Sequence, residues 1–149
     1  MKTTTNNQET TFALLTQVND LWHESINKEL KNNGLTVNEF TILNSLAAIK
    51  NENVHVTQVN ICDYINTKPM NTSIIMRKLQ TKKLIQRKEH PVDTRAKTVS
   101  LTAIGEKKII ETTQAIDALT ARFFNIESNK IADFNKRILE IRNNKLSKK

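Results

Sequence analysis

The sequence contains very little glycine and proline, with only two of each among 149 residues. All-β folds need turn residues about every eight to twelve positions, so this scarcity argues against them and favours long, uninterrupted helices. Apolar residues make up 38% of the chain, which is enough for one hydrophobic core at this length. The composition therefore predicts a single, mainly α-helical domain spanning residues 1–149.

Cysteine and long apolar runs are also scarce. The single cysteine, Cys62, excludes an internal disulfide framework, and no charged-then-apolar leader marks a signal peptide. No apolar run approaches the roughly 20 residues that cross a bilayer. We therefore expect a cytoplasmic protein without a membrane partner. Cys62 falls at an apolar position of a helical pattern, which favours a buried structural thiol over a redox sensor.

Signatures of catalysis are missing as well. The chain has no Gly-rich phosphate loop, no nucleophile elbow and no obvious Ser/His/Asp arrangement. We therefore expect no enzymatic activity and no cofactor. The three histidines, His23, His55 and His90, lie far apart in sequence and have no acidic or thiol partners at ligand spacing, so we predict no metal site.

Acidic residues are outnumbered by basic ones, and the excess is concentrated in one segment. Between Thr57 and Thr102 there are nine Lys or Arg and three acids, so this segment carries six of the chain's eight net positive charges. A concentrated positive charge favours a polyanionic partner, and nucleic acid is the leading candidate.

Apolar periodicity predicts two helices before the basic segment. The first runs from Phe12 to about Asn33 and ends at Gly34, because glycine is a common stop at helix C-termini. The second begins with a Ser/Thr-x-x-Glu capping box formed by Thr36 and Glu39, and runs to about residue 50.

The next elements have helix-turn-helix spacing. A short edge strand is predicted at Val54 to Val56, after which Thr57 caps a compact helix. Pro69 begins the following helix, which runs to about Thr81, because proline fits the first helical turn. In helix-turn-helix proteins the second of two such helices enters the major groove of DNA.

A basic β-hairpin and two more helices complete the chain. The strands are predicted at Leu84 to Glu89 and Lys97 to Leu101, Thr102 caps a long helix, and Ser128 caps a final one. The apolar stripes of the first and last two helices exceed what a small winged domain can cover, which favours a two-fold dimer.

The hairpin region resembles the MarR family of winged helix-turn-helix transcriptional regulators. The resemblance rests on Leu79, Lys82 and Leu84, on Arg87, on the wing from Pro91 to Ala96, on Val99 to Thr102, and on Gly105. The chain departs from the family pattern at Gln80, where an acid is usual, and at Thr94, where a second arginine is frequent. It also has Lys83 where glycine is usual, so we expect a less tight turn there.

The resemblance implies a fold and a set of partners. The fold is a winged lobe at about residues 54–102, flanked by dimerisation helices at about 11–33 and 103–146. The partners are a second copy and a pseudo-palindromic site in double-stranded DNA, and the activity is that of a repressor. The resemblance also implies a small-molecule effector, because small acidic or phenolic ligands often bind between lobe and dimer region in this family. Trp22 and Phe12 are candidates to line its cavity, although packing is the favoured interpretation.

The predicted DNA contacts fall into three groups. Readout of bases in the major groove is assigned to Asn71, Thr72, Ser73 and Arg77. Phosphate contacts, which add affinity without sequence information, are assigned to Lys68, Lys78, Lys82 and Lys97. In the wing, Asp93 is expected to hold the turn in shape while Arg95 reaches an electronegative minor groove.

Two other functions are compatible with the same sequence features. The winged fold could serve as a protein-interaction module, in which case the basic surface is incidental. It could also be an architectural DNA binder without sequence preference. A regulator should prefer its own promoter to bulk DNA, an architectural protein should not, and an interaction module should bind neither.

Overall fold

The computed structural model describes residues 10–49, 55–125 and 128–146. Within these ranges the chain forms six helices and one two-stranded antiparallel sheet, which confirms the predicted α-helical class with a hairpin wing. The elements in chain order are α1 (Thr11–Asn32), α2 (Val37–Ile49), α3 (Gln58–Ile65), α4 (Pro69–Thr81), β1 (Ile85–Glu89), β2 (Lys97–Leu101), α5 (Ala103–Phe124) and α6 (Ser128–Leu146).

Side-chain caps begin α2 and α3 at the predicted residues, Thr36 and Thr57. The backbone N–H of Thr36 donates to Glu39 Oε2 at 2.9 Å, and that of Glu39 donates to Thr36 Oγ1 at 3.2 Å, so the predicted capping box is formed. A second box precedes α3, where the Thr57 N–H donates to Asn60 Oδ1 at 2.9 Å. Pro69 is the first residue of α4, as predicted.

Helices α1 and α4 end in the same hydrogen-bonded motif. At the end of α1, Gly34 has φ 72° and the Leu35 N–H bonds the Leu30 carbonyl at 2.9 Å. At the end of α4, Lys83 has φ 59° and the Leu84 N–H bonds the Leu79 carbonyl at 3.0 Å. Both are Schellman motifs. The expectation of a looser turn at Lys83 is therefore wrong, because lysine adopts the left-handed conformation that glycine usually supplies.

The hydrophobic core lies between α2, α3, α4 and the hairpin, and it is closed by the last part of α1 and the first half of α5. Its fully buried members include Leu30, Ile42, Leu43, Leu46, Ile61, Met76, Leu79 and Ile85. Cys62 is buried beside this core, so its predicted burial is confirmed. The Val56 carbonyl accepts from the Val99 N–H at 2.7 Å, which ties the chain before α3 to β2. Val54, in the predicted edge strand, lies outside the described residues.

The hairpin is fastened to the start of α5. Thr102 caps α5, and its hydroxyl donates to the Lys83 carbonyl at 2.6 Å. A Cβ added at Gly105 would lie 1.9 Å from the Leu84 carbonyl oxygen, so only glycine allows this first turn to pack against the chain entering β1. The Leu-Thr-x-x-Gly sequence that leaves the wing therefore has a steric cause.

Apolar side chains on the outer helices divide into a packed group and an exposed group. Trp22 packs its ring against Phe123 and Phe124, with centroid distances of 5.2 and 5.7 Å, so the packing interpretation of Trp22 is confirmed. The exposed group comprises Phe12, Leu14, Leu15, Val18 and Leu21 on α1 and Ile138, Leu139 and Ile141 on α6. Phe12 lies outside this ring cluster. Among the described residues, no helix combines the length and apolar character needed to cross a membrane.

Candidate nucleic-acid interface

Helix α4 buries one side and presents the other to solvent. Thr72, Met76 and Leu79 follow each other at helical spacing and are fully buried. Asn71 and Arg77, two of the predicted base readers, are exposed, and Ser73 is half-buried. The exposed side of α4 is therefore the one available to a DNA groove.

Thr72 requires a correction. Its side chain is fully buried, and its hydroxyl donates to the Lys68 carbonyl one turn earlier at 3.3 Å. A buried hydroxyl cannot reach the edge of a base, so the prediction that Thr72 reads DNA is wrong. Its role is to close the first turn of α4 against the core.

Lys82 requires a second correction. Its Nζ donates to Glu39 Oε2 at 2.8 Å and to the Gly34 carbonyl at 3.0 Å, so two of its three donors are used within the protein. The lysine joins the end of α4 to the turn between α1 and α2. Lys82 therefore positions α4, and the expectation of a free phosphate contact does not fit this geometry.

The partner of Lys82 is an almost fully buried carboxylate. Burial of Glu39 disfavours its charged form, but hydrogen bonds from Lys82 and Thr36 and the charge of Lys82 outweigh burial and lower the pKa of Glu39 below its ordinary value of 4.5. The Glu39 side chain is 3% exposed and that of Lys82 is 40% exposed, so water reaches this ion pair from the lysine side.

The other predicted phosphate partners lie on the surface. Lys68 and Lys78 are exposed at the start and in the last turn of α4. Lys97 is exposed on β2 and its Nζ lies 3.6 Å from Glu89 Oε1, across the hairpin. Because both partners of this pair are solvated, the pair contributes little and leaves Lys97 able to bind a phosphate.

The tip of the wing is held by side-chain acceptors. Asp93 Oδ1 accepts from the Arg95 backbone N–H at 2.9 Å, which is the turn-holding geometry expected for Asp93. His90 Nδ1 accepts from the N–H groups of Val92 and Asp93 at 3.2 and 3.0 Å. Because Asp93 is engaged through the backbone of Arg95, the exposed guanidinium stays available to a ligand.

A chain of two hydrogen bonds joins the wing to the start of α4. Arg87 Nη2 on β1 donates to Gln58 Oε1 at 3.2 Å, and Gln58 Nε2 donates to the Pro69 carbonyl at 2.9 Å. The Arg87 Nε is buried and has no hydrogen-bond partner in the described part of the chain. Arg87, Arg95 and Lys97 border a cavity of about 380 Å³ beside the first turn of α3, and these three basic side chains give the cavity a positive lining.

Comparison with known proteins identifies the family. Residues 35–105 match the family described as "Winged helix DNA-binding domain". The S. aureus MepR-DNA complex shares the fold, with a TM-score of 0.75, 20% identity, and coverage of 91% of this chain and 98% of that one. A mutant MarR from E. coli complexed with operator DNA also shares it, with a TM-score of 0.72, 19% identity, and coverage of 86% of this chain and 90% of that one. An uncharacterized HTH-type transcriptional regulator of Bacillus subtilis (strain 168), YdcH, is 30% identical over 111 residues, covering 74% of this chain and 76% of the relative. The chain belongs to the MarR family of winged helix-turn-helix transcriptional regulators.

Membership of the MarR family confirms the resemblance inferred from the wing, and it confirms that the chain is a regulator and not an enzyme. Two histidines that are distant in this MarR-family sequence nevertheless meet where β1 leads into the wing turn. The rings of His55 and His90 are 5.3 Å apart between centroids. Within the described ranges, no group of three or more His, Cys, Asp or Glu side chains is arranged to hold a metal ion.

Sequence reasoning missed the contribution of Gln58 to this MarR-family site. Gln58 bonds partners 11 and 29 residues away, so no local pattern identifies it. Arg87 carried part of the family resemblance but was not assigned to the site. Its half-buried position on the alternating strand β1 is the signal that separates it from the solvated lysines around it.

Proposed function

We propose that the protein is a homodimeric repressor that binds a pseudo-palindromic site in double-stranded DNA. The observation that carries this proposal is that α4 is held in place along one side and at both ends. One side of the helix is anchored in the core, its start is tied to the wing through Gln58, and its end is tied to α2 through Lys82. The exposed side is left for the major groove, with Asn71, Ser73 and Arg77 facing the bases.

Charged side chains around α4 complete the proposed interface. Lys68, Lys78 and Lys97 bind phosphates and fix the register of the protein on the duplex. Arg95 enters the adjacent minor groove from the wing, while Asp93 holds the wing turn without contacting DNA. The cavity bordered by Arg87 and Arg95 receives one backbone phosphate.

The exposed apolar residues of the outer helices support the dimer. Leu15 and Leu21 on α1 and Ile138 and Ile141 on α6 form a surface that the chain itself leaves uncovered. A second copy of the chain is the simplest partner to bury this surface, with α1, α5 and α6 as dimerisation helices. Two-fold pairing places the recognition helices about 34–36 Å apart, so the half-sites lie about one DNA turn apart.

The fixed geometry of α4 favours a regulator over the two alternatives. An architectural binder needs only charge and bendable DNA, whereas here polar side chains are held on a positioned helix. A protein-interaction module gives no reason for basic residues on both the recognition helix and the wing. A regulator of this kind works where the chromosome is, and we place the protein in the cytoplasm.

A small-molecule effector could bind next to the recognition helix. A cavity of about 320 Å³ lies between α2 and α4 and is lined by Asn38, Thr41, Ile75 and Asn71, among others. A ligand there would touch the recognition helix directly. Thermal shift assays with small carboxylic acids and phenols, repeated on Asn38→Ala, test whether this cavity binds such compounds.

Selection of bound fragments from random duplex DNA tests the proposed function. The expected result is an inverted repeat that the protein prefers to bulk DNA, with affinity falling steeply as salt rises because phosphate contacts release counterions. Arg95→Ala should weaken binding to the selected site by about 1–3 kcal/mol without changing thermal stability. Lys107→Ala, at an exposed basic position on α5 to which no DNA contact is assigned, is the matched control. Failure to enrich any sequence would exclude a sequence-specific regulator.

A further inference from the structure

Two large apolar side chains stand on the exposed side of the recognition helix. Met70 is 75% exposed and Ile74 is 49% exposed. They are four residues apart, so they stack one turn above the other, and Arg77 continues the same line in the next turn. The helix thus presents an apolar strip beside the polar side chains already assigned to base readout.

The surroundings of this strip indicate what covers it. Helix α4 has no acidic residue, and Lys68, Arg77 and Lys78 lie around the strip. A basic rim is complementary to a polyanion, and the strip belongs to the surface that the proposed function places in the major groove. The occupant is therefore duplex DNA, whose groove must supply an apolar partner for Met70 and Ile74.

We propose that Met70 and Ile74 contact the 5-methyl groups of thymines in the operator half-site. This inference rests on the proposed function and adds specificity-determining residues to it. In the major groove all four bases present hydrogen-bonding groups, but thymine alone adds a methyl group. An apolar side chain against another base would displace water from polar atoms without replacing its hydrogen bonds, so that arrangement is disfavoured.

The spacing of the two side chains constrains the thymines. Four residues of helix rise about 6 Å, and successive bases on one strand are about 3.4 Å apart. The two methyl groups therefore lie within about two base pairs of each other. Each half-site should contain a pair of closely spaced thymines at positions that the polar side chains do not read.

Replacement of thymine by deoxyuridine tests the inference, because it removes the methyl group and leaves the hydrogen-bonding groups in place. The probe is the duplex enriched from a random library by the intact protein, with each thymine of a half-site replaced in turn. We expect about fourfold weaker binding for each contacted methyl, the effect of exposing one methylene-sized group. Anisotropy titrations measure this for wild type, Met70→Ala, Ile74→Ala and the milder Ile74→Val.

Pairing the protein and DNA changes identifies the contact. Ile74→Ala should bind the thymine duplex more weakly and should lose nothing further when its own thymine becomes deoxyuridine. Ile104→Ala changes an isoleucine of similar exposure on α5, 56% exposed, and should behave as wild type on both duplexes. Thermal melts of each variant confirm folding, which the exposure of both positions favours.

The possible outcomes distinguish a failure of this inference from a failure of the proposed function. If no duplex is enriched, both the inference and the proposed function are overturned. If a duplex is enriched but every deoxyuridine duplex binds wild type equally, only the methyl contacts are overturned. If deoxyuridine weakens wild type and the Met70 and Ile74 variants by the same factor, the methyl groups are read by other residues and the assignment is wrong.

Discussion

The winged helix domain at residues 35–105, called the lobe below, and the two outer helices α1 and α6 differ in how far they bury their apolar residues. In the lobe, Leu43, Ile61 and Met76 are completely buried by neighbouring elements of the same chain. On α1 and α6, Phe12 and Ile141 are largely exposed. The lobe therefore carries its own hydrophobic stabilisation, whereas the outer helices depend on a further surface, and changes to the two regions should have different kinds of effect.

Removing the last helix should have the largest effect. Deletion of residues 125–149 takes away α6 and uncovers the Phe124 ring, against which Phe134 of α6 packs, so we expect a monomer or an aggregate with much weaker specific binding. Light scattering and footprinting on the intact and truncated proteins measure both consequences.

Point substitutions on α6 give that deletion its control. Ile141→Asp places a charge in the exposed apolar group and should shift the protein towards monomer, whereas Lys136→Asp on the same helix should leave the oligomeric state unchanged. A monomeric intact protein, or a truncated one that still protects a full inverted repeat, would show that the outer helices have another role.

Gly105→Ala should be the most damaging single substitution within the lobe. The added Cβ meets the Leu84 backbone oxygen, so the hairpin and α5 must separate, at a cost of about 3 kcal/mol, the upper end of ordinary overpacking. Urea denaturation measures the loss. Gly34→Ala is the matched comparison because its Cβ meets nothing within 4 Å, so only its φ of 72° is strained and the cost should be about 1 kcal/mol. Equal losses would remove the steric explanation.

Glu39→Gln should measure how much the ion pair between Glu39 and Lys82 contributes to the free energy of unfolding. We expect a loss of about 1–2 kcal/mol at neutral pH, below the cost of breaking a fully buried pair because water screens Lys82. Since the folded-state pKa of Glu39 is lowered, its contribution is present above the unfolded pKa and disappears as pH falls through the folded pKa.

Thermal denaturation from pH 7 to pH 3 checks this dependence. The difference in stability between wild type and Glu39→Gln should shrink on acidification. The exposed ion pair between Glu89 and Lys97 provides a control, because Glu89→Gln should change stability little at any pH. A difference that stayed constant with pH would assign the effect to packing.

Lys83→Gly should have the smallest effect and the opposite sign. A lysine at φ 59° is strained, and glycine relieves that strain while losing more chain entropy on folding, so a gain of about 0.5–1 kcal/mol is expected. Chemical denaturation measures it, with Lys88→Gly on β1 as a control that should destabilise. A destabilised Lys83→Gly would mean that the lysine side chain makes a contribution of its own.

The parts of this fold that the sequence predicts are those decided by neighbouring residues. Thr36 with Glu39, and Pro69 at the start of α4, act within one helical turn, and their elements begin where expected. The burial of a side chain cannot be predicted in the same way, because it depends on which distant segments of the chain pack against that position. Thr72 and Lys82 look like surface residues in the sequence, but distant segments place one in the core and give the other a buried partner.

The hydrogen-bonded chain from Arg87 through Gln58 to the Pro69 carbonyl has a kinetic consequence. Because the wing and the start of the recognition helix are aligned within the free protein, the entropy of aligning them is lost when the protein folds and not when it meets a ligand. Association then needs little rearrangement within each lobe, so its rate is governed by diffusion and by attraction between opposite charges. Loss of the two hydrogen bonds made by Gln58 should therefore lower the association rate more than it changes the dissociation rate of the complex.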